Sequence, residues 1–273
     1  MTLAELDPAL LPILVRMIAA ATVVVLTSIV SEKAGPFWGA IIVALPVSAG
    51  PAYVLLALAQ NADFVGASAL MSLVTLAATA VYLLIYAHMA QRFSTLLCVA
   101  GSLLGWFIAA LLAREVTWTP VSALVINAVA FTLCVYFTRN IKHPARVATQ
   151  ALRRWYDLPL RAAGVAVLVA ALVTLSGLLG PVMTGIGAVF PVATTSVGLM
   201  LQPRLGGPAV SAIMADAAKA MPGMALGFLV LTFAAPQWGS AAGLSIALVA
   251  SVIWPITLVV MRARRESRAR AVG

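Results

Sequence analysis

The chain has 273 residues, of which 63% are hydrophobic and 9% are charged, and its formal net charge is +9. A mean hydropathy of +1.08 excludes a water-soluble globular domain. The basic residues gather in short connections between apolar runs, which is the pattern that orients membrane helices, so the positive charge gives no reason to expect a nucleic-acid partner.

The first apolar run, near residues 10–31, is predicted to be a retained membrane span. The sequence at its start, MTLAELDPALL, is acidic and lacks the basic flank and cleavage site of a signal peptide. Apolar runs of about twenty residues can cross a bilayer, and this length predicts nine spans in chain order: 10–31, 36–60, 64–90, 95–113, 118–138, 161–179, 181–202, 207–233 and 239–262. The predicted fold class is an all-α, polytopic membrane protein.

The charged connections predict the direction of these spans. The connection at 139–161 and the C-terminal tail are strongly basic, which places both in the cytoplasm. Lys33, Arg92 and Arg204 then fall on the same side, and the acidic N-terminus falls on the other. We therefore expect a multi-pass protein of the cell inner membrane with its N-terminus outside and its C-terminus in the cytoplasm.

An internal repeat begins at spans one and six. A shift of 145 positions pairs Arg16 with Arg161, and Pro46 with Pro191, without a gap. The same shift pairs the Gly-Pro dipeptide that opens span two with the one that opens span seven. Five helices separate equivalent positions, so the two copies would point in opposite directions. This predicts an inverted repeat, which together with broken helices is typical of secondary transporters.

The repeat divides the chain into three parts. Residues 1–117 are predicted to form a first repeat of four helices, and residues 118–160 a connecting helix with a basic cytoplasmic loop. Residues 161–273 are predicted to form the second, inverted repeat of four helices and the basic tail. The expected plan is four helices, one connecting helix, and four helices upside down.

Pro46 and Pro191 are predicted to break spans two and seven near the bilayer centre. Each lies ten residues, or about 15 Å, beyond the Gly-Pro start of its helix. Backbone opened at this depth is tolerated only where protein or a water-filled cavity satisfies it. The alternative is a proline kink whose hydroxyl groups bond to their own helix. The small or hydroxylated residues after the prolines are the candidate cavity lining: Ser48, Gly50, Thr194, Thr195 and Ser196.

Asp216 and Lys219 are the only pair of opposite charges well inside a predicted span. They are three residues apart, so they share a helix face, and they lie about 13–18 Å beyond the start of span eight. Pro222 follows and is expected to loosen the helix. Such groups usually mark a substrate or proton path, and the alternative is a structural ion pair. Asn127, near the middle of span five, is a candidate site residue or, by preference, an interhelical hydrogen-bonding group.

Several motifs are absent from the sequence. It has no GxxxxGK[ST], HExxH or GxSxG motif and only two histidines, so we expect no enzyme activity, metal site or cofactor. Cys98 and Cys134 lie within apolar runs and are interpreted as buried hydrophobic residues. Tryptophans mostly lie close to predicted span ends, as in an aromatic belt: Trp106, Trp118, Trp155, Trp238 and Trp254.

Each half also resembles a known family. The common features are a first helix, a small turn, a glycine followed by a proline in the second helix, a third helix ending near Tyr82 and Tyr86, and a fourth helix. In this pattern residues 14–113, and less closely 159–262, are similar to the GlpM-like small four-helix bacterial membrane proteins. The resemblance implies architecture rather than an activity. The second half departs from it because it carries Asp216 and Lys219 in its third helix.

These features together predict a secondary transporter. We expect it to move a small organic substrate, in preference an anion, because Lys219 and helix amide ends favour negative groups. The expected partners are that substrate, a coupling proton or sodium ion, and membrane lipid, and a homodimer is possible. The alternatives are a channel or pore, and a non-transporting membrane subunit or lipid-handling protein of an envelope pathway.

Overall fold

The computed structural model describes residues 49–141 and 157–272, together with Val15, residues 17–19 and 21–22, and Val25. In this part of the chain the regular elements are all helices. In chain order they are α1 (Ala49–Ala59), α2 (Ala62–Met89), α3 (Thr95–Arg114), α4 (Pro120–Thr138), α5 (Asp157–Ala188), α6 (Val192–Leu205), α7 (Gly207–Ala220), α8 (Pro222–Trp238) and α9 (Ser240–Val272).

Six helical segments of the described residues are long and apolar enough to cross a membrane. They are α2, α3, α4, Pro159–Ala188 of α5, the stretch Gly207–Trp238 formed by α7 and α8, and Ser240–Leu258 of α9. This is the make-up of a polytopic membrane protein. Most of the predicted span one and about half of span two lie outside the described residues, so nine spans and the inverted repeat remain predictions.

The local chemistry explains why several helices begin and end where they do. Thr119 caps α4 by accepting a hydrogen bond from the Ser122 amide, while the Ser122 side chain accepts one from the Thr119 amide, and Pro120 occupies the first turn. At the start of α2, the Asn61 side chain accepts a hydrogen bond from the Phe64 amide at 2.9 Å. Such caps satisfy amides that have no partner inside the helix.

The centre of the bundle is α2, which contacts α3, α4, α5, α7 and α8. Most of its apolar stretch is buried, whereas α3, α4 and α9 are mostly exposed, as lipid-facing helices are. One face of α2 carries hydroxyl groups at alternating spacings of four and three residues, which is the spacing of a single helix face. The six residues of this hydroxyl stripe are all buried: Ser68, Ser72, Thr75, Thr79, Tyr82 and Tyr86.

The helix predicted for span seven is broken at Pro191, as expected. Gly180 has a φ of 68°, which favours glycine, and the helix resumes at Pro181 and runs to Ala188. The next helix, α6, starts at Val192 with Pro191 at its cap position. A proline at position 191 removes the amide that would bond to the Gly187 carbonyl in a continuous helix, but this carbonyl is not left open, because the Phe190 amide donates to it at 3.0 Å. A tight turn therefore replaces the hydrogen bond that the proline removes.

The end of α2, the start of α5 and the end of α6 meet at one end of the bundle. Arg204 in the last turn of α6 donates two hydrogen bonds, of 2.6 and 2.7 Å, to the Asp157 carboxylate at the start of α5. Gln202 donates to the Phe93 carbonyl at 3.1 Å. These contacts bring together three connections for which the sequence predicts a single membrane face. Which face they occupy remains a prediction.

Candidate functional site

The side chains of Asp216 and Lys219 form an ion pair on one face of α7. The Lys219 ammonium donates to the Asp216 carboxylate at 2.7 Å. The Asp216 side chain is 45% exposed and the Lys219 side chain is 37% exposed. The two residues share one helix face, as predicted, and their role as a site or as a structural pair stays a prediction. Because neither group is enclosed by the described residues, the pair has room for a further polar molecule beside it.

Lys219 lines a cleft of about 530 Å³ between α4, α7, α8 and α9. This volume is within the range of roughly 300–1,000 Å³ that is usual for small-molecule pockets. Both Lys219 and Asn127 contribute to the lining, although 92 positions separate them in the chain. The remaining lining is mainly apolar: Leu124, Ala128, Phe131, Thr132, Val135, Ala218, Pro222, Ala225, Leu226, Trp254 and Leu258.

The cleft lies beside the middle of α4 and at the junction between α7 and α8. At 1.5 Å per residue, Asn127 lies about 11 Å beyond the start of α4 and Lys219 about 18 Å beyond the start of α7. Trp254 lies about 21 Å into α9 by the same count. For helices that cross a bilayer with a hydrocarbon core about 30 Å thick, these positions are in the apolar interior.

Asn127 joins α4 to α2 and keeps one unused acceptor. Its amide nitrogen donates to the Leu73 carbonyl at 2.6 Å and to the Ala123 carbonyl at 2.8 Å. The predicted interhelical hydrogen bond is therefore confirmed. The side-chain oxygen has no hydrogen-bond partner among the described residues, although the residue is only 2% exposed. Because both partners are carbonyl acceptors, only the nitrogen can face them, and the oxygen is left as the free atom.

Pro222 and Trp254 shape the same cleft. Pro222 begins α8 directly after the break at Met221, so the helix predicted for span eight is interrupted two residues after Lys219. The Trp254 indole nitrogen donates to the Lys219 carbonyl at 2.9 Å. Trp254 thus takes part in the cleft rather than in an aromatic belt. The same correction holds for Trp106, which is buried and whose indole lies 3.4 Å from the Thr79 hydroxyl.

The hydroxylated residues after Pro191 do not line this cleft. Thr194 and Ser196 donate to the carbonyls of Pro191 and Val192 in their own helix, at 3.1 and 2.7 Å. Thr195 reaches another helix, where its hydroxyl lies 3.1 Å from that of Tyr82. Thr194 and Ser196 therefore fit the alternative prediction, in which the proline kinks the helix and the hydroxyl groups bond to carbonyls of the same helix.

The other candidates from the first half lie elsewhere. Gly50 lines a separate apolar cleft of about 240 Å³ with residues of α1, α8 and α9, among them Tyr53 and Phe228. Pro46 and Ser48 lie outside the described residues. The structure therefore brings together Asn127, Lys219 and its partner Asp216, and it keeps Gly50 and the Thr194–Ser196 segment apart from them.

Sequence reasoning did not give Tyr82, Tyr86 and Gln202 a role, yet these residues join α6 to the central helix. The Tyr86 hydroxyl donates to the Gln202 side-chain oxygen at 2.7 Å, and the rings of Tyr82 and Tyr86 stack at 5.9 Å. Gly198 allows the close approach, because a side chain there would run into the Tyr86 ring. The signal was present in the sequence as the hydroxyl stripe of α2, whose spacing places all six groups on one face.

Within the described residues, no group of three or more His, Cys, Asp or Glu side chains could hold a metal ion. Cys98 and Cys134 are free and buried, as predicted. No family model, curated protein or solved structure matches the chain.

Proposed function

We propose that the chain is a secondary transporter of the cell inner membrane that moves a small organic anion, coupled to a proton or sodium gradient. The observation that carries the proposal is the cleft between α4, α7, α8 and α9, which is lined by both Lys219 and Asn127. An ammonium group is costly inside a bilayer. Binding of a polar solute offsets that cost.

The ion pair provides a route to coupling. The Asp216 carboxylate and the carboxylate of a bound anion would compete for the same Lys219 ammonium, which now donates to Asp216 at 2.7 Å. A proton or sodium ion on Asp216 neutralises it and leaves Lys219 for the substrate. The affinity for the substrate and the affinity for the coupling ion are then linked, as a coupled carrier requires.

The broken helix provides an element that can change position. Gly180 and Pro191 bound a short helical piece that ends at Ala188, and α6 follows it as a separate helix. Packed helices with breaks of this kind can rock as short rigid pieces, which is how alternating access is achieved around a site near the bilayer centre. In this proposal α6 moves against α2, and the Tyr82 and Tyr86 contacts stabilise one arrangement.

The test is proton-coupled uptake in proteoliposomes with an imposed pH difference. Organic acids are added one at a time, and proton entry is followed with a trapped pH-sensitive dye against protein-free vesicles. Asp216→Asn should abolish accumulation of the transported acid against its gradient while leaving part of its exchange down the gradient. This follows because the neutral side chain can no longer gain and lose a coupling ion.

Asp63→Asn is the matched control, because Asp63 carries the same group in the exposed first turn of α2. This variant should transport like the unchanged protein. Lys219→Gln should weaken apparent affinity for the acid. If Asp216→Asn concentrates the acid normally, the ion pair is structural and the coupling proposal is refuted.

A further inference from the structure

The cleft beside Lys219 is open on the side that faces away from the bundle. Its floor is formed by α7 and α8, and its two walls are formed by α4 and α9. The α4 wall packs on α2, α7 and α8, the α9 wall packs on α8 and α1, and the two walls do not pack closely on each other within the described residues. Both walls belong to helices whose apolar stretches are mostly exposed. The gap between α4 and α9 therefore opens towards the surrounding lipid.

The lining residues of the two walls follow one face of each helix. On α4, Leu124, Ala128 and Thr132 recur every four residues, and all three are exposed. On α9, Trp254 and Leu258 are also four residues apart, and both are partly buried. From Leu124 to Thr132 the wall runs about 12 Å along α4, which is a large part of one leaflet of a hydrocarbon core about 30 Å thick. An extended apolar chain can follow a groove of this form.

Lys219 gives this apolar groove a positive charge. It is the single charged side chain among the described residues that line the cleft. It lies about 18 Å into the stretch Gly207–Trp238, which is long enough to cross a membrane. An ammonium group beside hydrocarbon is costly, and its partner Asp216 is itself 45% exposed. An acid group that arrives on an apolar chain offsets this cost without placing further polar groups against walls that cannot pair with them.

We infer that the cleft takes up a membrane-resident amphiphilic acid sideways, between α4 and α9. The Lys219 ammonium binds the acid group, the groove holds the first part of the hydrocarbon chain, and the rest of the chain stays in the bilayer. A cleft of about 530 Å³ has the size of a pocket for a drug-sized ligand, so a long-chain acid enters it only in part. The inference rests on the proposed function and narrows its substrate to acids that reach Lys219 from the lipid rather than from water.

The acid group is expected to determine the affinity. Lipid tails are as apolar as the walls of the groove, so moving the hydrocarbon chain from the bilayer into the groove is nearly neutral in free energy. The contact between the acid group and the Lys219 ammonium has no such equivalent in the bilayer interior. An amphiphile with the same chain and no acid group should therefore not accumulate in the cleft.

Trp254 makes the test direct, because it lines the cleft and its indole donates to the Lys219 carbonyl at 2.9 Å. Bromine quenches indole fluorescence only at short range. The purified full chain is reconstituted in phosphatidylcholine vesicles at mildly alkaline pH, and 9,10-dibromostearate or its methyl ester is added at increasing mole fraction. The acid should quench a saturable part of the fluorescence, and the ester should not. Stearate without bromine should restore this part, and its methyl ester should not.

Three variants locate the contact. Trp254→Phe should remove the saturable quenching, because it removes the fluorophore in the cleft. Lys219→Gln should weaken binding of the acid about ten-fold. Ala128→Phe fills the open side of the cleft and should reduce the saturable quenching, whereas Val129→Phe, at an exposed position of α4 outside the lining, should not. The competition between stearate and its ester in the unchanged protein stands even if a variant fails to fold.

Three results would overturn the inference. The first is equal saturable quenching by the acid and the ester. The second is the absence of saturable quenching by the acid, which is also the result expected if a second copy of the chain closes the gap between α4 and α9. The third is release of the quenching by hexanoate, which stays mainly in water, as effectively as by the same total amount of stearate. That result would assign the cleft to water-borne acids.

The outcomes also separate this inference from the proposed function. Acid-specific quenching without uptake in proteoliposomes would retain the lipid-facing ligand site and refute transport. Proton-coupled uptake of a water-borne acid that Ala128→Phe leaves unchanged would retain transport and refute entry from the bilayer.

Discussion

The contact between the piece of α5 after Gly180 and the central helix can be tested with one added methyl group. Gly185 lies against α2, where a Cβ atom would collide with the Ser68 carbonyl oxygen and lie 2.9 Å from the Cβ of Met71. The first of these atoms belongs to the backbone and cannot turn aside. We therefore expect Gly185→Ala to push this half-helix away from α2.

Gly177 in the same helix is the matched control, because the nearest heavy atom to an added Cβ is the Gln60 side-chain nitrogen at 3.9 Å. Both substitutions replace glycine by alanine within a helix, which alone stabilises by up to about 1 kcal/mol. Overpacking at Gly185 costs about 1–3 kcal/mol in addition. The two variants should thus differ by about 1–3 kcal/mol in the free energy of unfolding, with Gly177→Ala the more stable.

Thermal unfolding in detergent measures this difference with a thiol-reactive fluorescent dye. Cys98 and Cys134 are 0% and 1% exposed, so they react only when the packing opens. Each kcal/mol corresponds to about 2–4 °C in the midpoint for chains of this size. If Gly185→Ala unfolds at or above the midpoint of Gly177→Ala, the close packing of this half-helix on α2 is incorrect.

Three further predictions concern topology, the break and the link to α6. A topology reporter fused before Met1 should indicate the exterior, and one fused after Gly273 should indicate the cytoplasm. If both ends are cytoplasmic, the number of spans is even and the prediction of nine spans is refuted. Pro191→Ala restores an amide donor to the helix backbone, so the protein should insert and fold but lose uptake. Normal uptake by this variant would show that transport does not depend on the helix break. Tyr86→Phe and Gln202→Leu in a double-mutant thermal-stability cycle should show about 0.6–1.7 kcal/mol of coupling, whereas additive effects would contradict the 2.7 Å hydrogen bond.

The features that the sequence determined are those set by local chemistry. Apolar runs long enough to cross a bilayer predicted the three helices between 62 and 138 within two residues, whereas the last helix runs to Val272, ten residues past the predicted span. The Gly180-Pro181 start and the break at Pro191 followed from backbone rules that act within one turn. The Asp216–Lys219 pair followed from a spacing of three residues on one helix face.

Only the tertiary structure decided which helix faces meet. These helices are apolar nearly all round, so their sequences carry little information about which side packs against which neighbour. That is why nothing in the sequence placed Asn127 and Lys219 at one cleft, and why Trp254 was assigned to the membrane interface. The contact between Thr195 and Tyr82 is a further example, because 113 positions separate these residues in the chain. An apolar surface on every side of a helix does not specify which neighbour each face contacts, so these contacts are determined by the packing of the whole bundle.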